Sequence, residues 1–271
     1  MQYSILIILL ILSLMIFSVS IGNAFAERVP VDLYDTLKLR HDANPTICIF
    51  EANPEITDNW DQLLLMTVSG INEWRLNLNH AYPSGDWNMP IKQVIPWSEH
   101  AEKPADDFRY CNIMFNFEES SGDDSLGNTG LKFNKSYHKY MFINIFLETQ
   151  RNAVVITLNN SGNSTVESNP IKEIPMNTIK NIVVHEFGHA LGLGHYFVGT
   201  PMLNNEKALG IDRSVMIPSI NPFDENQSLQ ITELDLLMLG KIYGDDGWLG
   251  VNPVYFPKEC YVLNTNIHSC D

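Results

Sequence analysis

Apolar residues along the chain fall into two repeats, one of about two residues and one of about 3.6. Together they outline a mixed set of strands and helices. Thr46-Ile47-Cys48-Ile49-Phe50 is a short apolar run and reads as a first strand. From Asp58 to Leu76, Leu63, Leu64, Thr67, Ile71 and Trp74 recur at helical spacing, and Asp58 offers a cap. Asn77 to Asp107 is rich in Pro, Trp and Asn, which predicts irregular structure around a short strand at Lys92 to Pro96. Tyr110 to Phe117 alternates as a strand does, and the acidic, glycine-containing stretch Glu118 to Asn128 reads as a loop. Val154 to Leu158 predicts a further strand, and the Asn, Ser and Gly run from Asn159 to Ser168 a loop.

Met176 to Leu191 predicts a helix with Asn177 or a neighbour as N-cap. Its Ile179, Ile182, Val183 and Phe187 face the core. Thr232 to Tyr243 predicts another, with Thr232 and Asp235 spaced as a capping box. The chain shows no internal repeat.

Charge and cysteine content narrow the class. The formal charge of −15 argues against nucleic acid or an anionic membrane surface as partner. Residues 1–26 carry no charged side chain, Ile5 to Val19 is almost wholly apolar, and Ala24-Phe25-Ala26 has small residues where a signal peptidase cuts. The expectation is a secretory signal over 1–26 and a secreted, extracellular product. The alternative is an uncleaved N-terminal anchor, since the apolar run comes close to spanning length.

Four cysteines in an exported chain suggest two disulfides with three pairings. Cys260–Cys270, close in sequence, with Cys48–Cys111 is the favoured set, and free buried thiols are the alternative. Asn134, Asn159, Asn163 and Asn226 stand in glycosylation triplets.

The chemistry lies at residues 185–195, His-Glu-Phe-Gly-His-Ala-Leu-Gly-Leu-Gly-His. On a helix His185 and His189 stand one turn apart and can reach one metal ion. Glu186, rotated by about 100°, lies beside that ion and suits a general base. A helix continuing to His195 would carry it about 15 Å past His185. The chain must therefore turn back, and Gly192 can turn it because glycine enters the left-handed region without steric penalty. Gly194 gives the returning segment further freedom. Three neutral imidazoles leave one vertex of a tetrahedral zinc open for water.

This pattern resembles the metzincin zinc peptidases, whose signature includes a downstream methionine turn. Ser214-Val215-Met216-Ile217-Pro218 matches that Met-turn, and Leu234-Asp235-Leu236-Leu237 leading to Ile242-Tyr243-Gly244 is similar to the closing helix of the matrixin branch. The likeness covers roughly Thr46 to Gly244 and is strong from Val183. Tyr196 follows the third histidine where matrixins mostly have serine, and a cysteine-switch propeptide is absent.

The resemblance implies an α+β zincin fold: a twisted, mostly parallel sheet with an antiparallel edge strand, an active-site helix, and a small C-terminal subdomain with Met-turn and closing helix. It implies that Leu126-Gly127-Asn128-Thr129 begins the edge strand that pairs with extended substrate, that Met141 to Glu148 follows it, and that Met216 underlies the imidazoles. Leu126, Gly127, Ile217, Pro218 and Ser219 would line the substrate pocket.

The expected organisation is a signal over 1–26, an N-terminal arm over 27–45, a catalytic domain over 46–244 divided at 195/196, and a tail over 245–271. The expected activity is zinc-dependent endopeptidase action on protein or peptide by a monomer. The competing reading is a secreted zinc-binding adhesion or interaction module without turnover. Asp123 and Asp124 are a candidate calcium loop, with a plain solvated loop as the alternative. His41, His80, His100, His138 and His268 lack partners at ligand spacing and are expected at the surface.

Overall fold

The computed structural model describes residues 41, 43–103, 108, 110–120, 125–133, 139–149, 154–158, 164–168, 172–195, 213–217, 220–223, 228–244 and 247–248. The signal segment, most of the arm, Asp123, Asp124, His138, Tyr196, Pro218, Ser219, the asparagines of the four glycosylation triplets, His268 and the Cys260–Cys270 pair lie outside the described residues.

In chain order the elements are β1 (Ile47–Phe50), α1 (Trp60–Ala81), β2 (Ile91–Ile95), α2 (Trp97–His100), β3 (Ile113–Glu118), β4 (Gly127–Phe133) and β5 (Lys139–Phe146). Then come β6 (Glu148–Thr149), β7 (Val154–Leu158), β8 (Ser164–Ser168), β9 (Lys172–Glu173), α3 (Met176–Ala190) and α4 (Glu233–Tyr243). The main sheet has the order β2-β1-β3-β5-β4. Every pairing is parallel except β4 on β5, which makes β4 an antiparallel edge strand. This is the α+β class with a mostly parallel sheet and an antiparallel edge strand that the resemblance implies.

All of β1 is buried, so the sheet is covered on both faces. Ile47, Ile49, Ile113, Phe115, Met141 and Ile143 point to one side, into the core shared with α1 and α3. Their alternates Cys48, Phe50, Met114 and Tyr140 form a smaller cluster on the other side with Ile95, Phe108 and Cys111. The Cys48–Cys111 disulfide lies in that second cluster.

Helix α1 presents Leu63, Thr67, Gly70, Ile71, Trp74 and Leu78 to the core. Gly70 has no room for a Cβ, which would lie 2.9 Å from Val183 Cγ1 on α3. That close approach also lets Trp74 Nε1 donate to the Val184 carbonyl at 2.8 Å.

Several local expectations are corrected. Helix α1 starts after Asn59 rather than Asp58 and has no side-chain cap, and it runs a turn beyond Leu76 because Leu78 completes the buried stripe. The N-cap of α3 is Pro175; Asn177 lies inside the helix, where its Oδ1 accepts from the Thr178 amide. Ser164–Ser168 is a strand rather than loop, paired antiparallel with β7 through backbone groups.

Two of the other histidines are not surface residues. His100 stacks on Phe50 and its ring contacts the Glu51 carbonyl at 2.8 Å. His41 lies under the end of α3, its Nε2 2.9 Å from the Ala190 carbonyl. No helix among the described residues is long and apolar enough to cross a membrane.

The disulfide joins residues 63 apart in sequence. Removing that crosslink with Cys48→Ser and Cys111→Ser frees a long loop in the unfolded chain. A stability loss of about 4 kcal/mol is expected on chain entropy, read by urea unfolding of oxidised wild type and the double variant.

Candidate metal centre

The third histidine reaches the first two because α3 stops where glycine permits. Leu191 ends the helix, and Gly192 follows with a φ of 108°, in the region that favours glycine. The Gly192 amide donates to the His189 carbonyl at 2.9 Å and the Leu193 amide to the Gly188 carbonyl at 3.0 Å. These two bonds are the paired closure of a Schellman motif, and the buried Leu193 supplies its apolar anchor. The chain reverses within a few residues and brings His195 back.

The result is a triangle of nitrogens. His185, His189 and His195 place their Nε2 atoms 3.1 Å apart along all three sides. The opposite ring nitrogens decide what this means. His185 Nδ1 donates to the Val215 carbonyl at 2.6 Å, and His189 Nδ1 donates to the Leu193 carbonyl at 2.7 Å. A neutral imidazole carries one proton. With that proton on Nδ1, Nε2 presents a lone pair. Lone pairs converging at this distance repel one another unless a cation lies between them.

A tetrahedral ion bonded to imidazole nitrogens at about 2.0–2.1 Å spaces them about 3.3–3.4 Å apart, a few tenths of an ångström from the triangle found here. The three residues are therefore positioned to hold a metal ion. The Val215 and Leu193 carbonyls fix ring orientation from behind.

Burial acts on the same groups. It pushes His185 down to about 3, assisted by the neighbouring His189 and His195 rings and opposed by the Val215 carbonyl. It pushes His189 down to about 4, with the Leu193 carbonyl opposing and His195 assisting. His195 is lowered for the same reason, desolvation. Neutral rings are the ligand-competent form, so protons do not compete for these nitrogens near neutrality. Burial also raises the Glu186 carboxyl to about 7, against the Thr129 hydroxyl that holds it down. A carboxyl so placed can accept and return a proton near neutral pH.

The turn over residues 214–217 packs against α3 beside the triangle. Met216 is fully buried, and a Cβ on Gly188 would overlap its Sδ and approach Trp74 Cζ2 to 3.0 Å. Glycine at 188 thus admits the methionine against the helix between the two helical ligands. The turn itself is held by Asp235, whose Oδ1 accepts from Ser214 Oγ at 2.8 Å while Ser214 Oγ accepts from the Met216 amide at 2.9 Å. Asp235 Oδ2 accepts from the Thr232 amide at 2.6 Å, which completes the capping box of α4.

The structure brings together His185, Glu186, His189, Gly192 and His195 as their spacing leads one to expect, and Met216, expected there from the resemblance alone, packs against Gly188. Gly127 lies on β4 against Glu186: a Cβ there would be 2.8 Å from the Glu186 Cγ. Leu126 turns into the core, and Ile217 is half-buried beside the turn. Sequence reasoning missed Thr129, whose hydroxyl is 2.8 Å from Glu186 Oε2. It also missed His41, and the two carbonyls that aim the rings. The one available signal for Thr129 is its position two residues after Gly127, on the same face of the edge strand.

The titrations predict how metal-free protein responds to acid. Below 6.5 the unfolded chain protonates His185 and His189, while the folded chain resists down to about 3 at His185 and about 4 at His189. Stability therefore falls as pH drops through this window. Glu186 opposes the trend: between 4.5 and about 7 the folded chain holds its proton and the unfolded chain does not. Two histidines outweigh one carboxyl, so this cluster loses stability from pH 6.5 to 4.5. Glu186→Gln removes the opposing contribution and should steepen the loss, measured by urea unfolding of metal-free samples across that range. No protein-family model matches the chain, and no curated protein matches it.

Proposed function

We propose that the protein is a zinc-dependent endopeptidase of metzincin type, similar to the matrixin branch and secreted. The observation that carries this reading is the convergence of three imidazoles on one point, two of them braced from behind, with a buried carboxyl on the residue next to the first of them. Imidazole donors with an open vertex suit zinc, which is found with three histidine ligands in catalytic sites.

His185, His189 and His195 would hold the ion. When bound, it supplies Lewis acidity, lowering the pKa of water to about 7 and polarising a carbonyl oxygen. The remaining work belongs to the chain. The Glu186 carboxyl takes the proton from the attacking water and returns it to the leaving amine, acting as base and then acid. A value raised to about 7 by burial fits both halves of that cycle at neutral pH. β4 has β5 on one side only and is an edge of the sheet, so it can take an extended peptide by strand addition beside Glu186. The peptide main chain would supply the hydrogen bonds, and the Met-turn with Ile217 would bound one side pocket. A zinc-binding module without turnover has less support, because all three ligands and Glu186 are present together.

The test is a peptide-library digest of the zinc-loaded protein, with and without a chelator, alongside Glu186→Gln. The variant should keep its zinc stoichiometry and lose about 10²-fold or more in turnover. Cleavage that survives the chelator, or a variant close to wild type in rate, would end the proposal. Zinc uptake without cleavage would favour the binding module.

A further inference from the structure

Two residues of β4 bracket Glu186, and neither belongs to the zinc-binding motif. Gly127 and Thr129 stand two apart on the strand and so face the same side. Gly127 leaves the space that the Glu186 side chain occupies: a Cβ there would be 2.8 Å from both Cγ and Oε1. Thr129 fills the adjacent position with a hydroxyl 2.8 Å from Glu186 Oε2 and 2.9 Å from the Glu186 carbonyl oxygen. The carboxyl is thus confined on one side by missing bulk and tied on the other by a hydrogen bond. Both constraints come from the strand that is open to an extended peptide.

We propose that Thr129 is a positioning residue for Glu186, fixing its carboxyl relative to a peptide laid along β4. This rests on the peptidase reading for its catalytic consequence, but the contact itself does not. A long carboxylate side chain left free samples several rotamers. Proton transfer needs the carboxyl within hydrogen-bond reach of the water and then of the amine. A hydroxyl anchored in the edge strand selects one of those rotamers and moves with the strand that holds the substrate. Misplacement of a reacting group by about 1 Å can cost on the order of 10²-fold in rate.

A merely structural role gives a different expectation. If the hydroxyl serves only the Glu186 backbone carbonyl, its loss destabilises the fold to the same degree whatever side chain stands at 186. Two measurements separate the cases. In the zinc-loaded protein, Thr129→Val should lower kcat about tenfold or more with KM within about twofold, and Thr129→Ser should restore most of it.

In metal-free protein, urea unfolding of wild type, Thr129→Val, Glu186→Ala and the double variant forms a thermodynamic cycle. Thr129→Val should raise the unfolding constant about fivefold more in the wild-type background than with Glu186→Ala, the weight of one buried hydrogen bond. Equal effects in both backgrounds, a kcat unchanged by Thr129→Val, or failure of Thr129→Ser to rescue would each overturn the proposal. If the wild-type protein cleaves nothing, the peptidase reading fails. The metal-free cycle then still decides whether Thr129 holds the Glu186 carboxyl.

Discussion

The metal-binding geometry rests on two imidazoles held from behind, with the Nε2 atoms of His185, His189 and His195 3.1 Å apart. The rear nitrogens of His185 and His189 are committed to the carbonyls of Val215 and Leu193, which turns their Nε2 atoms toward one point. Those carbonyls belong to separate chain reversals, the Met-turn and the Schellman closure. The metal-binding geometry thus depends on turns packed behind the rings. With two of the three rings already oriented, little of a cation's binding energy would go into ordering ligands.

Much of this was legible in the sequence, for reasons that can be stated residue by residue. His185 and His189 are set by helical spacing alone, and His195 forces a chain reversal that Gly192 can supply. Thr232 and Asp235 announce a capping box through spacing and side-chain chemistry. The disulfide partner of Cys48 was favoured because Cys260 and Cys270 lie close in sequence. What stayed hidden is tertiary. Ser164–Ser168 shows no strand pattern, since a two-stranded ribbon needs only backbone groups to pair. His41 reads as a polar residue in a polar arm until the Ala190 carbonyl and Trp248 are found beside it. Thr129 looks like any β-branched strand residue, because its meaning lies in a contact 57 residues along the chain.

His41 shows how such hidden contacts finish a design that the motif leaves open. A helix that stops abruptly to deliver a ligand exposes its last carbonyls. Gly192 and Leu193 satisfy those of His189 and Gly188, His41 covers that of Ala190, and Tyr243 donates to Leu191 at 2.8 Å. The same tyrosine hydroxyl accepts from the His41 amide at 3.2 Å. Residues from before β1 and from the end of α4 thus meet at the C-terminus of α3. A polar cap of this kind keeps the reversal dry and fixed.

Asp235 extends that logic to the other ring. It is completely buried, and a buried carboxylate is stable only with donors around it. It has them from the Thr232 amide and hydroxyl on one oxygen and from Ser214 on the other. Ser214 in turn accepts from the Met216 amide, and the peptide between them carries the Val215 carbonyl that aims His185. The start of α4 is therefore joined to the rear nitrogen of a ligand ring through direct hydrogen bonds and the Val215–Met216 peptide. An amide in place of the carboxylate would offer one oxygen for donors that now use two, and would turn a donor toward a hydroxyl or amide that also donates. The Met-turn would lose its anchor, and the orientation of His185 with it. Capping residues are usually credited with ending helices, but here the cap transmits the position of α4 to the metal site.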